Sequence, residues 1–440
     1  MDVEKAYKKL SQSLEKLTSY LGRKAKLLLE PPQIPSPREF YEACSRSYRF
    51  NLPLECRVPD KGLKPLICKD NIVCPGLGEA TLGTGNPVGL RGVARIVELL
   101  MDAGFSPAAR GSMDFAGLST TGYNPVLGHT INPLNARYTT GGSSGGPAGL
   151  ALQSPGSLAL GSDAGGSARI PAAYTGLYGL KLRSSPQFTR GFATITPTFE
   201  AAGLISSSLF LILEALNSIK GLEGRVWAGV KLASMLMEGG AEVLLVNPLD
   251  PSRCRSIAEE SVCDTFYAWL DCVRRVHGIR VVDASMELLW RLESARAVAT
   301  LYEASRRLPR TCRACLKRAP EPLKNLLLLG SSFSRSQYLS ALKAIGSGRR
   351  TFRAILGSTV VVLPTVTRDC VAVEEAEKHA YSRRMIAFTS IANTLNMTSI
   401  ALPQRIAKYT CGAPYSVTLS SYSLEALISA AIVLSAGSKC

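Results

Sequence analysis

Apolar and polar positions alternate along this chain with two recognisable periods. Val3, Tyr7, Leu10, Leu14, Leu17 and Leu21 recur at three- and four-residue steps with lysines between them. That spacing predicts an amphipathic helix over residues 2–30. Pro31, Pro32, Pro35 and Pro37 then stop it and form a short stiff connection. Residues 63–72 are a short apolar run, which predicts a strand with Lys69 near its end and inside the core. Helical patterns follow at 92–103, 200–219, 285–307 and 424–434, with strand-like runs at 241–246, 279–282 and 358–363. Alternating strands and helices point to the α/β class. There is no internal repeat and no low-complexity tract.

Residues 139–183 break this rhythm. Two glycine-framed serine clusters lie there, Gly141-Gly142-Ser143-Ser144-Gly145-Gly146 and Gly165-Gly166-Ser167. Such framing suits backbone that takes unusual dihedrals or approaches a ligand closely. The stretch 147–160 between them is small, apolar and uncharged, and Ile170-Pro171-Ala172-Ala173-Tyr174 follows directly. That composition favours buried packing over a flexible linker.

Composition adds bounds. With 46% hydrophobic and 19% charged residues, 440 positions supply a large core and exclude global disorder. The net charge of +17 admits an acidic partner, nucleic acid included, although a solvated basic face is the commoner cause. The twelve cysteines are scattered, and only Cys312-Arg313-Ala314-Cys315 forms a CxxC. Reduced thiols in an intracellular protein are therefore expected, with no metal site and no cofactor. The N-terminus lacks the apolar core of a signal peptide, and 204–216, interrupted by Glu214, is the longest apolar approach to a span. A cytoplasmic location without membrane contact is expected.

The blocks GGSSGG, GSDAGGSARIPAAY and GLYGLK, taken with Pro65-Leu66-Ile67-Cys68-Lys69-Asp70-Asn71-Ile72 upstream and Thr389–Met397 plus Ala401-Leu402-Pro403 downstream, resemble the amidase signature family of serine hydrolases. These ordered matches spread from about residue 60 to 430. The resemblance implies a single catalytic domain over 38–440, behind an N-terminal unit of 1–37, with a mixed sheet core covered by helices. Residues 220–350 match the family weakly and are expected to shape the substrate pocket.

The chemistry also follows from residue types. Amide hydrolysis needs a nucleophile, a base, a proton donor for the leaving amine and donors for the oxyanion. Ser167 is the candidate nucleophile, because the backbone amides around Ala164, Gly165 and Gly166 would converge on the oxyanion. Ser143 would relay its proton, and the resemblance implies a cis peptide bond before that serine. Lys69 would be the base once burial lowers its pKa; alone it would read as a surface residue or an ion-pair partner of Asp70. By resemblance Asp163 and Arg169 brace the nucleophile loop, while Ser144 either bonds to that loop or assists the relay.

Other motifs fit less well. Gly141-Gly142-Ser143-Ser144-Gly145 satisfies the GxSxG pattern, but a nucleophile elbow needs a histidine, and His129, His277 and His379 have no hydrolase context. No phosphate loop or dinucleotide fingerprint is present. Two functions within the family stay open: an amidase acting alone on a small carboxamide, and the glutaminase (A) component of the tRNA-dependent amidotransferase. The second would release ammonia from glutamine for partner B and C subunits with tRNA. Ser112-Met113-Asp114-Phe115-Ala116-Gly117 resembles a segment of those glutaminase components, whereas Ser421-Tyr422-Ser423-Leu424 stands where an acidic residue is expected. A catalytically dead scaffold is a third, non-enzymatic alternative, and what the basic segment 274–318 contacts is open.

Overall fold

The structure, a computed structural model, describes residues 30–219 and 221–437. The expected helix over 2–30 falls outside the described residues, Glu30 excepted. After the proline-rich stretch, Ser36 caps the helix Pro37–Arg46. Its hydroxyl accepts from the Glu39 amide at 3.3 Å while Glu39 accepts the Ser36 amide at 2.7 Å.

One eleven-stranded sheet runs through the described residues. Its strands are β1 Pro53–Cys56, β2 Lys64–Lys69, β3 Phe105–Gly111, β4 Leu158–Ser162, β5 Tyr178–Lys181, β6 Ala202–Ser206, β7 Val243–Asn247, β8 Ile279–Asp283, β9 Val360–Pro364, β10 Thr398–Lys408 and β11 Pro414–Ser421. They lie in the order β1-β3-β2-β4-β6-β5-β10-β11-β9-β7-β8. The sheet is mixed. β2 pairs in parallel with β3 and β4, and β7 does so with β8 and β9, while the central β4-β6-β5-β10-β11 run is antiparallel.

Strand β2 shows why a lysine can be held inside. It has a hydrogen-bonded neighbour on each side, and everything from Pro65 to Lys69 is buried. A strand covered on both faces reads as a continuous apolar run, as residues 65–68 do. The short apolar helix Gly145–Gln153 packs against β2, β3, β4 and β6, with Gly145 to Ala151 all buried. It is apolar all round because it is enclosed on all sides.

Two expectations need correction. The pattern over 200–219 predicts one helix, but the chain forms strand β6 and then the helix Leu209–Asn217. The run Ala202-Gly203-Leu204-Ile205 is small enough to be sandwiched between β4 and β5. Ser208 then caps the helix by accepting the Leu211 amide at 3.3 Å. The second concerns the thiols, which pair. Disulfides join Cys44–Cys56, Cys68–Cys74, Cys254–Cys263, Cys312–Cys315 and Cys370–Cys411. The folded chain brings their Cα atoms to 6.0, 6.6, 5.9, 5.3 and 6.1 Å, within bridging range. Among the described residues, no helix is long and apolar enough to cross a membrane.

Candidate active site

The end of β2 delivers Lys69 to the bottom of a cleft, where its side chain is fully buried. Its Nζ donates to Ser143 Oγ at 2.8 Å and to Ser162 Oγ at 2.9 Å. The neighbouring Asp70 is engaged elsewhere. That carboxylate accepts the amides of Thr81 at 3.0 Å and Gly83 at 2.9 Å and faces Arg110 at 3.8 Å. Lys69 is therefore no partner of Asp70. Burial lowers the Lys69 pKa from 10.5 to about 8, against the raising pull of Glu200, Asp114, Asp163 and Asp70.

Ser143 enters through a cis Gly142–Ser143 peptide bond. A side chain on Gly142 would collide with the carboxylate of Asp114, so only glycine fits there. Ser167 faces the same small cavity as Ser143, Ser162, Asn71 and Glu200, and also opens to the larger cleft. No hydrogen bond joins the Ser143 and Ser167 hydroxyls. The two segments are clamped by the backbone instead, the Ser144 amide donating to Ser167 O at 2.9 Å. Ser144 Oγ donates to Ser162 O at 3.2 Å, a bond to the strand below rather than to the lysine.

The turn carrying Ser167 closes around Asp163. This carboxylate accepts the amides of Gly166 at 2.9 Å and Ala168 at 3.2 Å, and two guanidinium nitrogens of Arg169 at 3.0 and 2.9 Å. Burial opposes its charge, but Arg169 overcomes that penalty and holds Asp163 well below the usual carboxylate range. Gly166 has φ +135°, and a side chain there would meet Thr389. The Gly166 amide is committed to Asp163, while the amides of Ala164, Gly165 and Ser167 meet no acceptor among the described residues.

Several site residues were not legible in the sequence. Asn393 locks the turn to the C-terminal segment, accepting from Arg169 at 2.7 Å and donating to Asp163 O at 2.7 Å. Ser162 is the second acceptor of Lys69. Asp114 lies buried near Lys69, and burial raises its pKa to about 6. Glu200, also buried, is raised by burial to about 7. Asp114 belongs to the block 112–117 that resembles a family segment, but nothing near Glu200 in the sequence marks it.

Beyond Ser167 the cleft opens between Gly117–Thr120, Ala164, Thr196 and Ile386 on one side and Ala297, Leu301, Ala304, Leu323, Leu326 and Leu327 on the other. Its charged lining residues are Arg296 and Arg383, and Arg296 is bonded to Glu293 at 2.6 Å. No aspartate, glutamate or histidine among the described residues lines this part of the cleft.

The fold thus brings Lys69, Ser143 and Ser167 together beside a mixed α/β sheet. Residues 64–221 match the family model described as Amidase. That segment holds Lys69, Ser143 and Ser167. The A subunit of glutamyl-tRNA(Gln) amidotransferase from Natronomonas pharaonis is 30% identical over 223 residues, 49% of this chain and 52% of that protein. The chain thus spans about half the length of the curated relative it matches. A crystal structure of an amidase superposes with a TM-score of 0.70 at 22% identity, covering 99% of both chains. The corresponding glutamyl-tRNA(Gln) amidotransferase chain of Thermotoga maritima gives 0.68 at 18%, covering 95% of this chain and 93% of its own. Both likenesses concern the fold.

Proposed function

We propose that the protein is an amidase that acts alone, hydrolysing a small neutral carboxamide through an acyl-enzyme. The observation that carries this is the 2.8 Å bond from buried Lys69 Nζ to Ser143 Oγ, beside a Ser167 open to the cleft. Ser167 Oγ attacks the amide carbonyl while its proton passes to Ser143 and the Ser143 proton passes to neutral Lys69. The amides of Ala164, Gly165 and Ser167 receive the oxyanion. The Lys69 ammonium returns a proton through Ser143 to the leaving nitrogen, and C–N cleavage leaves the ester on Ser167. Water then attacks that ester by the reverse proton path, releasing the acid. Asp163 and Arg169 hold the turn and take no part in the transfers.

The cleft supports a neutral substrate. The α-ammonium of glutamine would need an acidic partner, and none lines the outer cleft. Leu301, Leu323, Leu326 and Leu327 suit an apolar acyl group. The glutaminase component is the second reading, favoured by the name of the Natronomonas relative and the net charge of +17. In that case B and C subunits with tRNA would be its partners. Ammonia release by the purified chain separates the two. Turnover of simple amides such as benzamide or butyramide, absent in Ser167→Ala, is expected; activity confined to glutamine would favour the glutaminase component.

A further inference from the structure

Glu200 has no part in the proton path described above, yet it sits inside the site. It follows a turn whose amide bonds run from Phe199 and Glu200 back to Thr196 O at 3.1 and 3.0 Å, just before β6. Its side chain is buried and lines the inner cavity with Asn71, Ser143, Ser162 and Ser167. Ser162 is the residue between the two. Its hydroxyl oxygen accepts from Lys69 Nζ at 2.9 Å and Asn71 Nδ2 at 3.1 Å, which leaves its own proton to donate, and Glu200 lines the same small cavity. A buried carboxyl group without a structural cation of its own is costly, so its placement on the lysine's far side calls for a reason.

We propose that Glu200 is a positioning residue for Lys69, holding through the Ser162 hydroxyl the ammonium that forms when the base takes the serine proton. The inference rests on Lys69 being the base, as proposed above. In the reactive form, above its pKa of about 8, Lys69 is neutral. When it accepts the proton from Ser143, positive charge appears at Nζ, and the line Nζ–H···Oγ–H···carboxylate stabilises it without moving a heavy atom. The charged groups facing Lys69 are Glu200, Asp114, Asp163 and Asp70. Asp163 is neutralised by Arg169 at 2.9 Å and Asp70 faces Arg110 at 3.8 Å. Asp114 accepts the Gly122 amide at 3.1 Å on one oxygen, and its other oxygen has no partner. Glu200 faces Lys69, Asp163 and Glu303, and Glu303 is engaged by Tyr338 at 2.8 Å. Of these carboxylates, Glu200 is the one that lines the inner cavity with Ser143, Ser162 and Ser167. It also comes first among the groups raising the lysine's pKa.

The test is the pH dependence of covalent labelling of Ser167 by a fluorophosphonate, which reads nucleophile activation without any chosen amide. Wild type should show a rate that rises through an acid limb near pH 8, where Lys69 loses its proton. In Glu200→Gln the ammonium loses its anion, so the limb should move to lower pH and the plateau rate should fall about tenfold. Glu200→Asp should restore part of both. If Glu200→Gln does not fold, Ser162→Ala, which cuts the same link, should shift the limb in the same direction. A limb that stays in place in the folded variants, whatever the plateau rate, would overturn the role of Glu200. Absence of labelling in wild type at every pH would instead sink the hydrolase reading beneath it.

Discussion

The floor of the cleft and the wall that faces it are held by different forces. The floor, 112–121 with 139–169, is a lattice of short polar bonds deep in the core. Asp163 and Arg169 are both fully buried and paired at 2.9 Å, and Asn393 ties both to the far end of the chain. The wall is built from the helices Glu287–Thr311 and Glu321–Ser332, whose Ala304, Leu308, Leu323 and Leu327 form an apolar cluster with Cys312 and Cys315 that rests on Met113, Phe115 and Ala116 of the floor. A polar lattice fixes atoms closely and tolerates no missing partner. An apolar wall fixes only volume, so it can vary while the chemistry beneath stays the same.

Substitutions should separate the two. Ser167→Ala in the floor should lower kcat by about 10⁴-fold or more while circular dichroism stays unchanged; measurable turnover above a tenth of wild type would break the comparison. Lys69→Ala should cost about 10²–10⁴-fold in kcat/KM, and the residual rate should no longer rise through pH 8. The sign follows from the base having to be neutral: wild-type activity falls as pH drops below the lowered pKa.

Asp163→Asn tests the lattice itself. It leaves Arg169 buried without its anion, and denaturant unfolding should report a loss of about 3–5 kcal/mol. The folded-state pKa of Asp163 lies below its ordinary 3.8, so its contribution is present above that value and is lost as pH falls further. The smallest effect belongs to the wall. Leu301→Ala should raise KM for bulky apolar amides about tenfold and leave acetamide nearly untouched. An equal loss for both substrates would mean that the wall, too, serves the chemistry.

What the sequence disclosed follows the same division. Residues whose role forces a local pattern were readable: the glycines beside Ser143 and Ser167 and the apolar run leading to Lys69. Strand boundaries such as Val243–Asn247 and Ile279–Asp283 fell within a few residues of the pattern. Contacts made across long separations left no trace. Cys370 and Cys411 stand 41 residues apart, and nothing in that spacing shows that the fold brings them together. Asn393 reaches Arg169 over 224 positions. Glu200 begins a stretch that scans as a helix, because its apolar residues satisfy that period until the serines at 206–208 and pairing with β4 and β5 override it. Nor does the sequence show that Asp163 claims the Gly166 amide.

The most direct test of the central claim is where a serine-directed phosphonate lands. After labelling of the intact chain and cleavage on the N-terminal side of aspartates, mass spectrometry should place the adduct on Ser167, in the peptide that begins at Asp163 and apart from the one holding Ser143 and Ser144. An adduct on Ser143 or Ser144, or no adduct on a folded chain at a pH above the Lys69 transition, would contradict the account.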